Sequence, residues 1–357
     1  MYRRAYTLLI GTAVVMGALA VLTSWKYDRP LLDPEGSFLG PSYIRLPLLL
    51  LGALLLDLLP LTLWQAKGRL SRMMPIAKER LRTHWTRERG VLVALGVVCF
   101  YVTYVSYRNL KSYLPFVRSD PSSTPGEPRA LSYDRELHIM DKVMFFGNDP
   151  SDVLHAIFGT NIAAHILSPI YLAFLPLVPL AVTAWLVWSR NMSFGYWFVT
   201  SQCLAWSLGT LSYYLLPTLG PGIAYWPEYQ VLAHTGTTDL MNSIVRARGE
   251  VLFGGADTSV NSIAGFASLH TAITLLFALM VQYTLRSKLL KTIFWINFGL
   301  TIIATLYFGW HYVADDIAGA AIAVVSFYLG GLASGQKFDR GLHSHPTTTT
   351  SRVPVDA

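Results

Sequence analysis

Long apolar runs alternate with short polar segments along the whole chain, and each run has the length of a membrane-crossing helix. One crossing needs about 20 mostly apolar residues, and we count about eight such runs. The sequence therefore predicts an all-α fold, a polytopic integral-membrane helical bundle. The predicted transmembrane helices lie roughly at 5–25, 43–65, 90–107, 165–188, 195–216, 265–285, 289–308 and 312–333.

The pattern divides the chain into three parts. Residues 1–89 hold two transmembrane helices and a basic loop, 90–334 form a six-helix membrane core, and 335–357 form a polar tail that we predict to be disordered. The first run resembles a signal peptide, because basic residues precede it and an Ala-Leu-Ala sequence lies inside it. We expect this run to be retained.

Basic residues collect in the loops at one end of the predicted bundle. Basic loops stay in the cytoplasm, so we predict that both termini are cytoplasmic and that the other loops face the extracytoplasmic or luminal side. The basic positions are Arg3 and Arg4, Lys67, Arg69, Arg72, Lys78, Arg80, Arg82, Arg87 and Arg89, then Arg190, the segment 286–291, Lys337 and Arg340.

Two loops on the opposite side are long, at 108–164 and 217–264, and the first contains amphipathic segments. Leu137, Met140 and Met144 fall on one face of a predicted helix from 134 to 146, and a second short helix follows around 153–158. We expect both to lie in the membrane interface. A soluble loop with two small helices is the alternative.

Composition supports the membrane class and narrows the chemistry. Hydrophobic residues make up 53% of the 357 residues and charged residues 14%, against about 25% charged in soluble domains. The net charge is +7, but the basic residues lie between apolar runs, so we predict no nucleic-acid partner. Cys99 and Cys203 fall inside apolar runs, which argues against a disulfide or a thiolate metal site. No nucleotide-binding motif occurs, and we expect no cofactor.

Polar residues gather where several predicted helices reach the outer face. The segment Gly309–Gly319 reads GWHYVADDIAG and places His311 and Asp315 four residues apart, on one face of a helix. A carboxylate on one imidazole nitrogen fixes the tautomer and leaves the other nitrogen free to attack. Asp316 points about 100° away. A structural His–Asp pair that caps the last helix is an equally acceptable interpretation.

A second histidine shifts the balance towards catalysis. His270, at the start of the sixth predicted helix, is placed to protonate a leaving oxygen. Ser268 precedes it by two residues and is a candidate donor to an anion, next to the N–H groups of a helix N-terminus.

Four basic residues near this face are candidate phosphate ligands. Arg108 and Lys111 lie on the side where basic residues are unexpected, and we interpret them as phosphate clamps. Arg246 and Arg248 are weaker candidates, because charged pairs in long loops are usually solvated. Interfacial snorkelling is the alternative for Arg108 and Lys111.

The Ser-Leu-His of 268–270 followed by the His-Tyr-Val-Ala-Asp of 311–315 resembles the type 2 phosphatidic acid phosphatase superfamily. The form of these motifs, with the segment YYLLPTLGP before them, is most similar to the inositol phosphorylceramide synthase branch. This resemblance covers about 100–330. It implies that His311 attacks phosphorus to form a phosphohistidine, that Asp315 orients His311, and that His270 protonates the leaving group and then activates the acceptor.

The chain also departs from the family pattern. The family arginine six residues before the nucleophile is Thr305 here, the glycine between serine and histidine is Leu269, and the Lys-x6-Arg-Pro motif is replaced by YRNLKSYLP. The prediction is a phosphotransferase that moves the head group of a phospholipid or other lipid-linked phosphate to a lipid or sugar hydroxyl. A lipid phosphatase that uses water, a non-enzymatic lipid transporter on the same scaffold, and a metal site are the alternatives.

Overall fold

The computed structural model of the protein describes residues 2–33, 40–119, 131–253 and 265–338, together with the backbone of 344–345. The described chain is almost entirely helical, which confirms the predicted all-α bundle. Its helices are α1 (Tyr2–Tyr27), α2 (Ser42–Ala66), α3 (Leu70–His84), α4 (Arg87–Val117), α5 (Asp134–Met144), α6 (Pro150–Phe158), α7 (Ile162–Leu172), α8 (Phe174–Trp188), α9 (Met192–Leu215), α10 (Pro221–Ala224), α11 (Trp226–Tyr229), α12 (Gly236–Phe253), α13 (Leu269–Thr284), α14 (Lys288–Tyr307) and α15 (Val313–Ala333).

Six helical stretches among the described residues are long and apolar enough to cross a membrane, which supports an integral membrane protein. They are α1, α2, α4, the α7–α8 stretch, α14 and α15. The predicted number was eight. The other two predicted spans correspond to α9, which has 24 residues, and α13, which is apolar but has only 16.

α9 contains several polar residues, and its position inside the bundle explains why they are tolerated. This helix packs against α1, α4, α8, α13 and α15, and its Trp197, Phe198 and Gln202 are fully buried. Polar side chains inside a membrane protein face the bundle interior. Surrounded by other helices, α9 can therefore carry polar residues that a lipid-facing helix would not.

Two predicted spans have different boundaries in the structure. The sixth begins at Leu269 because Ser268 is the residue that caps α13. The fourth is divided at Ala173 into α7 and α8. Pro176, three residues later, has no N–H to donate to the carbonyl of Leu172, so the regular helical ladder is interrupted there.

The helices predicted in the first long loop are present as α5 and α6. Leu137 is buried, whereas Met140 and Met144 are 37% and 44% exposed, so the predicted apolar face is only partly covered by protein. Their insertion into the membrane interface stays a prediction.

Residues near both ends of the described part of the chain pack against the bundle. Leu9, Ala13 and Met16 of α1 are buried in the same apolar cluster as residues of α4 and α9. The predicted division at residue 89 stays a prediction. At the other end, Lys337–Phe338 (β1) pairs with Ser344–His345 (β2), and the Phe338 ring lies 5.5 Å from that of Trp197. Most of the remaining predicted disordered tail lies outside the described residues.

Candidate active site

The segment between α14 and α15 places His311 at one end of the bundle, which we call the site end. Gly309 begins the turn with a positive φ of 68°. A side chain at this glycine would also collide with the ring of Tyr229 and the backbone of Gly222, and Gly222 donates its N–H to the Gly309 carbonyl over 2.6 Å. Glycine is therefore required for the turn that aims His311.

His311 and Asp315 are in contact, but not on one face of a helix as predicted, because α15 begins at Val313 and His311 precedes it. Nδ1 of His311 lies 3.3 Å from Oδ2 of Asp315, and the same oxygen accepts the backbone N–H of Tyr312 over 3.0 Å. Asp315 is 0% exposed and His311 7%. With Asp315 on Nδ1, Nε2 of His311 is the nitrogen available for bond formation.

The neighbouring carboxylate, Asp316, has a different set of partners. It accepts hydrogen bonds from Thr271 Oγ1 over 2.5 Å and from Thr305 Oγ1 over 3.0 Å. These bonds join α13, α14 and α15. Thr305, which stands where the family has arginine, is fully buried and serves this junction.

A backbone contact joins the two sequence motifs directly. The Ser268 N–H donates to the carbonyl of Asp315 over 2.9 Å, and any side chain at Gly319 would collide with the Ser268 carbonyl. The start of α13 therefore lies against the first turns of α15. Residues about 45 positions apart in the sequence meet here.

His270 projects from α13 into an aromatic cluster beside His311. Its ring stacks on Tyr171 at a centroid distance of 4.2 Å and lies 4.0 Å from the ring of Phe174. The centroids of His270 and His311 are 6.3 Å apart.

Three of the predicted cations lie at the same end. The Lys111 ammonium lies over the rings of Tyr107 and Tyr213, at 5.9 and 5.5 Å. It is within electrostatic range of Arg108 and Arg248, and His270 is within range of Lys111. The two histidines and the three cations thus form one electrostatic cluster.

The remaining two predicted ligands are placed less favourably. Arg246 is exposed, and because it is two residues from Arg248 it projects to the other side of α12. Ser268 is fully buried; its Oγ accepts the Thr271 N–H over 3.3 Å and lies 3.2 Å from the Thr271 hydroxyl. A phosphate contact by either residue stays a prediction.

Asp134 is an important residue that we did not predict from the sequence. Its carboxylate accepts the N–H groups of Leu219 and Gly220 over 2.9–3.0 Å and the hydroxyl of Tyr312 over 3.0 Å, and it attracts Arg248. Asp134 therefore ties the loop after α9 to the residue next to His311. Only the Ser-Tyr-Asp sequence at a helix start hints at such a role.

Asp141 and a second His–Asp pair lie next to His311, also without a prediction from the sequence. Asp141 accepts the Val313 N–H at the start of α15 over 3.2 Å. Burial, together with nearby Asp315, raises the pKa of Asp141 to about 7. Nδ1 of His138 lies 3.2 Å from Asp149. These groups and His311 line a cavity of about 10 Å³, room for about one water molecule.

Comparison with known proteins agrees with the site geometry at the level of the superfamily. The model of the PAP2 superfamily matches residues 135–329, a range that includes α13, the α14–α15 turn, His270, His311 and Asp315. No curated protein and no solved structure matches the chain. These comparisons therefore do not support assignment to the inositol phosphorylceramide synthase branch. The superfamily match spans more than half of the chain, and the chain belongs to the PAP2 superfamily.

Proposed function

We propose that this protein is an integral-membrane phosphotransferase that moves the head group of a phospholipid, or of another lipid-linked phosphate, to a hydroxyl acceptor. Membership of the PAP2 superfamily supports phosphoryl transfer or hydrolysis on phosphorylated lipids in a membrane. The observation that carries the proposal is the arrangement of two histidine rings 6.3 Å apart, one of them held by Asp315.

In the first step, Nε2 of His311 attacks the phosphorus of the lipid. A P–N bond forms and the P–O bond to the leaving group breaks, while His270 donates its proton to the departing oxygen. Asp315 stabilises the positive charge that develops on the His311 ring, and it does so without solvent competition because its side chain is fully buried.

In the second step, the acceptor oxygen attacks the phosphohistidine. The new P–O bond forms as the P–N bond breaks, and the acceptor hydroxyl passes its proton to His270. This transfer returns both histidines to their starting states. His270 thus serves first as general acid and then as general base, and its stacking between Tyr171 and Phe174 holds it in place for both steps.

We propose that Lys111, Arg108 and Arg248 bind the oxygens of the substrate phosphate. Cations at this position attract the anionic substrate and stabilise the negative charge on its phosphate oxygens. These side chains come from α4 and α12, so they replace the missing arginine at position 305 from other parts of the fold. Arg246, exposed on α12, is not included.

Transfer is favoured over hydrolysis by the enclosure of the nucleophile. His311 is only 7% exposed. Helices from both long loops cover its segment: Tyr229 packs on Gly309, and Asp141 binds Val313. Exclusion of water lengthens the life of a phosphohistidine until an alcohol arrives. A lipid phosphatase with the same first step is the alternative. A transporter that catalyses no reaction would not need His270, His311 and Asp315 together, so their presence in one cluster argues against that alternative.

The first test is to trap the intermediate. Purified protein incubated with a lipid labelled in its phosphate should acquire acid-labile label, and His311→Ala should acquire none while keeping its thermal stability. Near-normal turnover in His311→Ala would rule out the mechanism. Vanadate inhibition that resists EDTA would separate this chemistry from that of a metal site.

The second test separates transfer from hydrolysis. Labelled phospholipid is supplied with and without membrane lipid extract. Transfer predicts a new labelled lipid whose formation depends on both the extract and His311. Label that appears only as water-soluble phosphate, with every acceptor tried, would identify a phosphatase.

A further inference from the structure

A helical hairpin lies at the end of the bundle opposite the site. The chain reverses between α2 and α3 at Lys67 and Gly68, which both have positive φ. Two hydrogen bonds from Arg80 to Asp57, at 2.7 and 3.1 Å, hold the two helices side by side. We call residues 58–84 the basic hairpin, because they contain six Lys or Arg and one Glu.

Contacts with α8 show where this hairpin stands relative to the membrane. Nε2 of His84 lies 2.8 Å from the Val187 carbonyl, and Arg89 donates to the Ser189 carbonyl over 2.7 Å. These carbonyls mark the end of the candidate span Ile162–Trp188. The candidate span of α2 runs from Ser42 to Ala66, and a crossing needs about 20 residues, so the turn at Lys67 and Gly68 lies just outside the hydrocarbon core.

The turn of the hairpin therefore lies in the lipid headgroup layer, which is about 5–8 Å thick on each side of the hydrocarbon core. The hairpin is nevertheless apolar on its surface. Leu70, Met74 and Leu81 are 79%, 63% and 40% exposed, and Trp64 is 86% exposed. The spacings of four and eleven residues place Leu70, Met74 and Leu81 in one stripe along α3.

Basic side chains lie beside this stripe. Lys78 and Arg82 follow next around α3, and Lys67, Arg69 and Arg72 surround the turn. An apolar stripe flanked by Lys and Arg is the pattern of a helix that lies in the membrane interface and prefers anionic lipids. A second copy of the chain fits less well, because it would bring two strongly positive hairpins together.

We propose that the basic hairpin docks on anionic phospholipids, with its apolar stripe among the upper acyl chains and its Lys and Arg side chains on the lipid phosphates. The docking surface faces away from the site end. It is therefore independent of the reaction proposed for His311, and its binding can be measured without any assay of turnover.

The experiment uses the whole protein in nanodiscs, one copy per disc. Ser71→Cys gives an exposed attachment point for a polarity-sensitive fluorophore, since the two native cysteines are buried. The probe lipids are phosphatidylcholine alone and phosphatidylcholine with about one third phosphatidylglycerol. We measure emission wavelength and quenching by iodide in the buffer and by brominated acyl chains.

We expect the anionic discs to shift the emission to the blue, to lower iodide quenching at least twofold after correction for the iodide-excluding charge of the disc, and to raise quenching by brominated chains. Added salt should weaken the effect. A variant with all four of Arg69, Arg72, Lys78 and Arg82 changed to Gln should lose the protection. Its affinity for anionic lipid should fall by about fivefold per charge removed, which is measured by the anionic lipid that co-purifies. The matched control, Lys288→Gln with Lys291→Gln at the same end, should keep it.

Each other outcome overturns the proposal. Equal protection in neutral and anionic discs would show that lipid charge is not recognised. Iodide quenching without brominated-chain quenching in both discs would place the hairpin in water. Protection that appears only when two copies share a disc would assign the surface to self-association.

Discussion

Replacement of Asp315 by asparagine tests whether the negative charge of this carboxylate supports the attack by His311. Oδ2 of Asp315 lies on Nδ1 of His311 and also accepts the Tyr312 N–H. The amide oxygen of asparagine can take the position of Oδ2 and keep both contacts, while its NH₂ group takes the position of Oδ1. The His311 ring then keeps its tautomer but loses the negative charge that stabilises the imidazolium formed when Nε2 attacks.

The expected cost follows from this exchange. In a histidine-based triad where loss of the carboxylate also leaves the wrong tautomer, kcat falls by about 10⁴. Here only the charge is lost, from a contact of 3.3 Å that is longer than an ideal hydrogen bond. We therefore expect a smaller decrease, of about 10²–10³, in the rate of phosphohistidine formation, which corresponds to about 3–4 kcal/mol. Lipid affinity should change little.

Asp316→Asn is the matched control. It removes the same charge from a neighbouring buried carboxylate, but the partners of Asp316 are Thr271 and Thr305. We expect less than a tenfold loss of rate and a lower thermal midpoint, since about 1–3 kcal/mol is at stake for these bonds. The assay is single-turnover labelling of His311, with thermal unfolding in detergent as the fold check.

Two results would refute the reasoning. A folded Asp315→Asn protein within tenfold of the wild-type rate would show that the negative charge of Asp315 does not assist the attack by His311. Equal losses in Asp315→Asn and Asp316→Asn would show that buried negative charge matters at this end of the bundle, and that its position relative to His311 does not.

Three further predictions concern the phosphate clamp, the sidedness and the pH response. Arg108→Gln and Lys111→Gln should each lower kcat/KM by about 1.5–3 kcal/mol; wild-type kinetics in both would place the clamp elsewhere. Cysteine at Phe146, which is 97% exposed, should react with an impermeant thiol reagent on intact cells, and cysteine at Ser71 should not; the reverse would invert the topology. Because burial raises the folded pKa of Asp141 to about 7, its ionisation opposes folding, so stability should fall as pH rises from about 4 to 7. Asp141→Asn should flatten that part of the thermal-midpoint profile, and an unchanged slope would contradict the assignment.

Much of the architecture could be predicted from the sequence because lipid imposes local rules. A membrane helix must be apolar over about 20 residues, so α1, α2, α4, α14 and α15 are visible as uninterrupted runs. The sequence also suggested the His311–Asp315 contact, but by a helical spacing that the structure does not have. α15 begins at Val313, so His311 meets Asp315 across the start of the helix.

The two spans that fit the length and composition rules poorly show where local reasoning stops. The polar residues of α9 are tolerated because other helices surround it, and the first residues of the predicted sixth span are used to cap α13. Neither the surroundings of α9 nor the cap of α13 can be read from a local stretch of sequence. Each depends on which surfaces other parts of the chain cover.

The sequence by itself determined the membrane class and the helical fold, because these follow from composition and from the lengths of the apolar runs. It also pointed to His270 and His311 as candidates through the family resemblance. Only the tertiary structure decided which distant groups accompany them. In the structure, Arg248 lies at the site end whereas Arg246 is exposed, and Ser268 caps α13. Thr305 donates a hydrogen bond to Asp316, and Tyr312 donates one to Asp134. The physical reason is that a buried charge or hydroxyl must find a partner, and its partner is chosen by how the helices pack.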